Sequence, residues 1–293
     1  MSSTPPSPSL STTTQNPPTP KPSSPPVPFL PSQAARIYSF AHPFLLLGLL
    51  GLRFDKLVAD PVTELLNDLP FLALLQVGYV MTCLPPAGSG YAHGHGHSHK
   101  AVGETGGSGD SAGEEKRKTN PVVRAGKAGY RRRQQKGEAG GFSVKLIPAL
   151  LSLTLIFLLA TPVLSILLVL FGAPLTTHNF ETVLCAAHMA VLSTTALIYV
   201  HGVDGAVWKE VWGIARPSDG VWGGALGTCV GAWFGAVPIP LDWDRPWQAY
   251  PITILTGAYI GFAVGSLIGR ASFLYGKRIE FTPEELGIEK KVD

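Results

Sequence analysis

Three groups of polar residues have the types and spacing to do chemistry. Asp242-Trp243-Asp244-Arg245-Pro246-Trp247-Gln248 contains an Asp-x-Asp pair, a spacing by which enzymes hold a divalent metal against a phosphate. No third carboxylate or histidine stands nearby in sequence to complete such a site. The same loop suits two other roles. Trp243, Trp247 and Tyr250 carry amphipathic rings that favour a membrane–water interface. Asp242, Asp244 and Arg245 can pair locally or reach a partner, on a backbone restricted by Pro238, Pro240, Pro246 and Pro251. In the second group, His93-Gly-His-Gly-His-Ser-His99, alternating imidazoles could bind Zn²⁺ or Ni²⁺, as in the loops of zinc transporters. A transporter also needs ionisable ligands inside its spans. The apolar runs here offer His42 and His188 but no Asp or Glu, which favours adventitious metal affinity. In the third group, His178 and Glu181 could form an acid–base pair, but no nucleophile accompanies them. A turn and helix start capped by Thr176 or Thr177 explains that stretch as well. No Gly-x-Ser-x-Gly, phosphate-cradling loop or metalloprotease pattern is present, so we assign no catalytic residue, metal site or cofactor.

The elements that must position the loop are two apolar helices on either side of it. The first carries Gly223, Gly227, Gly231 and Gly235, the second Gly257, Gly261, Gly265 and Gly269. Glycine inside a soluble helix costs about 1 kcal/mol against alanine. In a bilayer, small residues at every fourth position mark a face where backbones approach closely. Positions four apart drift little around a helix, so each run makes one continuous stripe. The two stripes, joined by a short loop, are expected to pack as a tight hairpin.

The rest of the chain reads as a polytopic membrane protein. Of its 293 residues 45% are hydrophobic and only 15% charged, and several uncharged apolar runs are long enough to span. The formal charge of +3 gives no nucleic-acid signature. Cys83, Cys185 and Cys229 fall in apolar runs and read as packing residues. We expect an all-α fold with six transmembrane helices. Residues 1–36 form a Pro/Ser-rich tail and 85–144 a His/Gly/basic loop, both too polar to order themselves. Spans one and two occupy 37–84, with the charged stretch from Arg53 to Glu64 as their loop and Asn67, Asp68 and Pro70 opening the second helix. Spans three to six occupy 145–269, the third kinked at Pro162, and 270–293 is a charged tail. Six spans put both termini, the long loop and the loop between spans four and five on one side. That side holds 20 of the 23 lysines and arginines; Arg53, Lys56 and Arg245 lie on the other. The positive-inside rule makes the termini cytoplasmic and the loop 242–248 lumenal if the membrane is internal. Lys290 and Lys291, fourth and third from the C-terminus, fit a dilysine endoplasmic-reticulum retrieval signal.

Three segments carry a resemblance to a known family: Phe171-Gly-Ala-Pro-Leu-Thr-Thr-His178, the block from Gly231 to Pro251 containing Pro240-Leu-Asp-Trp-Asp-Arg-Pro-Trp-Gln248, and Gly257-Ala-Tyr-Ile-Gly261. They resemble the PIG-F family of glycosylphosphatidylinositol (GPI) anchor biosynthesis, over roughly residues 37–84 and 146–269. The resemblance implies a non-catalytic subunit in the endoplasmic-reticulum membrane. Its implied partners are the large catalytic subunits that transfer ethanolamine phosphate to GPI mannoses, together with membrane lipid. The loop is proline-restricted, rich in tryptophan and arginine, and falls on the lumenal side, where the implied partner's chemistry occurs, so Asp242 to Gln248 are the expected partner-binding surface. A metal-dependent transferase using Asp242 and Asp244, or a cation transporter using the His-bearing loop, are the alternatives from other classes.

Overall fold

A computed structural model of the chain describes residues 24–89, 142–174, 176–241 and 244–278. The serine- and proline-rich start, the His93–His99 run, Asp242, Trp243, Lys290 and Lys291 lie outside the described residues. All regular structure among the described residues is helical: α1 (Gln33–Ala59), α2 (Pro61–Cys83), α3 (Phe142–Leu155), a π-helical turn (Ile156–Ala160), α4 (Thr161–Leu170), α5 (Asn179–His201), α6 (Gly205–Trp212), α7 (Gly220–Ala236) and α8 (Ile252–Gly269). Among the described residues six stretches are long and apolar enough to cross a membrane, with 142–170 forming the third and 220–241 the fifth.

The first two spans differ from the sequence expectation. Rather than a charged loop, a single residue, Asp60, joins α1 to α2. Its carboxylate accepts from the Thr63 amide at 3.2 Å and Pro61 follows as the first helical residue, so α2 opens well before Asn67. The charges become tolerable inside helices because they neutralise one another. Arg53 on α1 lies 2.6 Å (Nε) from Glu64 on α2 and forms a second ion pair with Asp68 one turn later. Helix α1 also runs on through Pro43. Proline removes the donor that would bond the Ser39 carbonyl, and the Arg270 guanidinium takes that carbonyl at 2.9 Å instead. In the third span the helix widens into the π turn just before Pro162 and continues as α4. Helix α5 opens on His178 without a threonine cap, and α6 is an eight-residue helix that the hydropathy pattern does not announce.

At the centre lies α5, most of whose residues are buried against α2, α4, α7 and α8. The tightest contact is between α7 and α8. A methyl added at Gly227 would meet the Gly261 carbonyl, and one at Gly261 the Gly227 carbonyl; Gly231 pairs with Gly257 and Gly223 with Gly265 in the same reciprocal way. At the ends Gly235 faces Thr253 and Gly269 faces Asp219. Every one of these eight positions would bring a Cβ within 3.0 Å of backbone, a separation that real Cβ atoms essentially never show. The two backbones therefore touch along an antiparallel seam of five steps. Gly224, off the seam, faces the Phe262 ring at 3.0 Å, and Gly48 has open space.

One end of the bundle gathers the described termini. Residues 24–30 run extended across it and are packed, not part of a free tail: the Val27 amide donates to Asp219 at 3.0 Å and the Leu30 amide to the Cys83 carbonyl at 2.9 Å. Asp219 caps α7 through the amides of Val221 and Trp222. Burial pushes its carboxyl up, and those amides, with Arg216, pull it back. The opposite end carries Asp60, residues 171–174 and 176–178, and the described part of the loop between α7 and α8.

The seam predicts that Gly227→Ala and Gly261→Ala each cost about 1–3 kcal/mol by overpacking. Gly48→Ala should be neutral, and Gly224→Ala should cost less because a ring moves more easily than backbone. Thermal unfolding in mild detergent checks the order.

Candidate functional site

The loop between α7 and α8 is built from short, pinned turns. Past Ala236 the chain makes a 3₁₀ turn at Ile239–Leu241, and a second at Pro246–Gln248. Asp244 sits at φ 52°, in the left-handed region that aspartate tolerates better than most residues. The Gln248 amide bonds the Arg245 carbonyl at 2.9 Å, and the Gln248 side chain donates to the Pro238 carbonyl, tying the two halves of the loop together. Gln248 is consequently buried, whereas Asp244 and Arg245 are exposed and Trp247 is 36% exposed. Of the sequence-predicted partner residues described, Asp244, Arg245, Pro246 and Trp247 face outward and Gln248 acts inside the loop. Trp247 stands at one end of a shallow apolar groove that follows the glycine seam to Val264, with Phe54 of α1 on its rim.

Tyr250 anchors the loop to α5. Its hydroxyl donates to Thr182 Oγ1 at 2.8 Å, and Thr182 in turn donates to the carbonyls of Pro174 and His178. Burial pushes the Tyr250 phenol up to about 12, so it remains a donor. The His178 ring stands edge-on to Tyr250, centroids 6.2 Å apart, and its Nδ1 lies 2.9 Å from Thr177 Oγ1. The sequence pairing of His178 with Glu181 is thus replaced by contacts to Thr177 and Tyr250.

Buried histidines mark the bundle interior. His188 Nε2 lies 2.9 Å from the Leu65 carbonyl and Nδ1 lies 3.0 Å from the Tyr259 hydroxyl. A carbonyl can only accept, so Nε2 carries the proton and Nδ1 accepts from Tyr259. Both ring nitrogens are used, which leaves His188 a cross-helix tie with no free lone pair for a metal. His42 is fully buried, stacked on Tyr79 with centroids 4.3 Å apart and edge-on to Phe262. The charged group Arg53, Glu64 and Asp68 escapes a reading that takes charge as a loop signal. Its trace in sequence is the four-residue spacing of Glu64 and Asp68, which puts both on one helix face.

Among the described residues these features make a helical bundle with an outward-facing polar loop between α7 and α8, and the comparisons give it a family. The profile described as "GPI biosynthesis protein family Pig-F" matches residues 41–270, which is most of the chain. The chain belongs to the PIG-F family. It is 63% identical over 289 residues to a protein of Aspergillus fumigatus named "Glycosylphosphatidylinositol anchor biosynthesis protein 11", covering 94% of this chain and 93% of that one. A Neurospora crassa protein of the same name is 42% identical over 86% of this chain and 80% of its own length. A human protein named "GPI ethanolamine phosphate transferase, stabilizing subunit" is 34% identical over 40% of this chain and 55% of its own. No solved structure matches the chain. Within this PIG-F chain the family match begins and ends on structural supports, from His42 and its neighbours on α1 to Arg270 beyond α8.

The Arg53 group yields a test of the scaffold. Arg53→Ala leaves two acids on one face without their cation, and because Arg53 is a quarter exposed we expect a loss of about 1–3 kcal/mol rather than the full buried-pair penalty. Adding Glu64→Gln to Arg53→Ala should recover part of the loss, read as the melting temperature in detergent.

Proposed function

We propose that this chain is the non-catalytic, stabilising membrane subunit of the enzymes that transfer ethanolamine phosphate to GPI mannoses. The observation that carries the reading is the PIG-F match across residues 41–270, joined to relatives whose names state GPI anchor biosynthesis and a stabilising subunit. The scaffold supports it: six spans, a close backbone seam between α7 and α8, and an outward polar loop. In this reading the membrane is that of the endoplasmic reticulum, and Lys290 and Lys291 act in retrieval to it. The termini face the cytoplasm. Arg36, Lys145, Lys209, Arg216, Arg270, Lys277 and Arg278 all stand at the end of the bundle that gathers them, against Arg53, Lys56 and Arg245 at the other. The loop then faces the lumen.

Partner contact falls on Asp244, Arg245, Pro246 and Trp247 of the loop, with Asp242 and Trp243 as their sequence neighbours. A pinned loop loses little entropy on binding, and tryptophan and arginine are the residues most enriched at binding hot spots. Trp247→Ala should weaken association with the catalytic subunit by roughly tenfold or more. Arg245→Lys should weaken it too, because an ammonium cannot reproduce the bidentate fork. The measurement is recovery of the catalytic subunit with this chain from mild detergent, normalised to the amount of chain. Normal chain levels with undiminished recovery for Asp244→Ala, Arg245→Lys and Trp247→Ala together would show the loop to be an interfacial anchor only.

A further inference from the structure

Both described ends of the chain meet at one serine. Segment 24–30 lies extended across the bundle end, and Ser24 is its first described residue. The Ser24 hydroxyl donates to Glu210 Oε2 on α6, and the Ser24 amide donates to Glu210 Oε1 at 3.4 Å. Arg278 completes the knot: its guanidinium donates to the carbonyls of Ser24 and Ala215, each at 3.1 Å. Three residues on, the Val27 amide donates to Asp219, which caps α7, and the Tyr275 hydroxyl reaches the Val27 carbonyl at 3.4 Å. Ser24 is half-buried, and an exposed proline, Pro25, follows it. A serine followed by proline on an extended backbone is the substrate pattern of proline-directed protein kinases. Among the described residues Thr161-Pro162 repeats the pair, but Thr161 is buried within the helical third span.

We propose that Ser24 is a phosphorylation site for a cytosolic proline-directed protein kinase, and that phosphate there releases segment 24–30 from the bundle. The proposal rests on the reading that this end faces the cytoplasm. In the transfer the serine oxygen bonds to the γ-phosphorus of a nucleoside triphosphate and the bond to the β-phosphate breaks. The diphosphate leaves, and the hydroxyl proton passes to the kinase's catalytic base. The unmodified hydroxyl is a donor meeting a carboxylate acceptor. A phosphate instead presents acceptor oxygens and a charge of about −1.5 to −2 at neutral pH, so it repels that carboxylate. A phosphorylated Ser24 therefore cannot reseat on Glu210. Arg278 is the cation at hand, but both its Nη groups are spent on the Ser24 and Ala215 carbonyls, so capturing the phosphate undoes the same knot. The hydroxyl is open to a kinase only while the segment's end is lifted, and phosphate then holds it lifted. The modification thus favours one of two states and shifts the population toward it. Val27 and the α7 cap at Asp219 come next along the segment, so release at Ser24 loosens that end of the glycine seam.

The test uses the full chain with Thr4→Ala, Ser7→Ala, Thr19→Ala and Thr282→Ala, which leave Ser24 as the one Ser-Pro or Thr-Pro acceptor outside the spans. Sealed microsomes, cytosolic face out, are incubated with a proline-directed kinase and ATP, and the site is mapped by mass spectrometry. Ser24 should be modified, and Ser24→Ala should remove the signal. Amide exchange of segment 24–31 in mild detergent then reads the release; its four prolines leave Val27 and Leu30 among its few amides. Exchange in the phosphorylated chain should be at least tenfold faster than in the unmodified chain, and faster than in Ser24→Ala, which loses the donor without gaining charge. Glu210→Lys offers the phosphate a cation and should return much of the protection. Three results would overturn the proposal and leave the topology untouched: no phosphate at Ser24 in microsomes or detergent, exchange no faster than in Ser24→Ala, or an effect that Glu210→Lys leaves unchanged. Phosphate at Ser24 only after detergent opens the microsomes would put this end in the lumen, which overturns the topology reading and the cytosolic kinase together.

Discussion

The contact on which the rest depends is backbone against backbone between α7 and α8. In lipid there is no water to expel, so helices associate through close packing and hydrogen bonds rather than through the hydrophobic effect. Eight glycines provide that closeness, each at a point where a single methyl would collide with the facing chain. One end of the seam is fixed by Asp219, which caps α7 while its carbonyl faces Gly269. At the other end the seam delivers the chain into a loop held by Gln248 on Pro238 and Tyr250 on Thr182. A change in helix spacing at Gly231 would therefore be felt at Arg245 and Trp247.

Around the seam, several polar side chains tie helices together. Arg270 shows the economy: it bonds the Ser266 carbonyl at the end of α8, takes the Ser39 carbonyl that Pro43 leaves open, and lies over the rings of Phe29 and Phe40 at 5.2 and 4.9 Å. One side chain thus joins α1, α8 and the extended segment 24–30. His188 joins α5 to α2 and α8 in the same manner. Such ties bind a bundle together, and none of them needs to move for the chain to serve as a support.

The sequence made the spans and the seam legible because their signals are local. Apolar length announces a span, and glycine at every fourth position announces a face. The extent of α1 and α2 was not legible, because Arg53, Glu64 and Asp68 read as loop until their cross-helix pairing is seen. Pro162 read as a kink, because the π turn that absorbs it lies outside the local pattern; the donor that replaces the bond lost at Pro43 likewise comes from another helix. In the candidate site, tryptophan and arginine were visible as outward residues, but the inward turn of Gln248 and the meeting of 171–178 with Tyr250 depend on the path of a chain through three helices.

In the proposed reading this chain stands beside a catalytic partner, and the seam would let it present a fixed loop to one. The direct test puts a photocrosslinking amino acid at position 245 in chains with and without Gly261→Ala. Adducts with the ethanolamine phosphate transferase catalytic subunit are counted in intact membranes and normalised to the amount of chain. The account predicts a strong adduct in the unaltered seam and its loss when Gly261→Ala separates the helices. An undiminished adduct in the Gly261→Ala chain, or none in either, would contradict it.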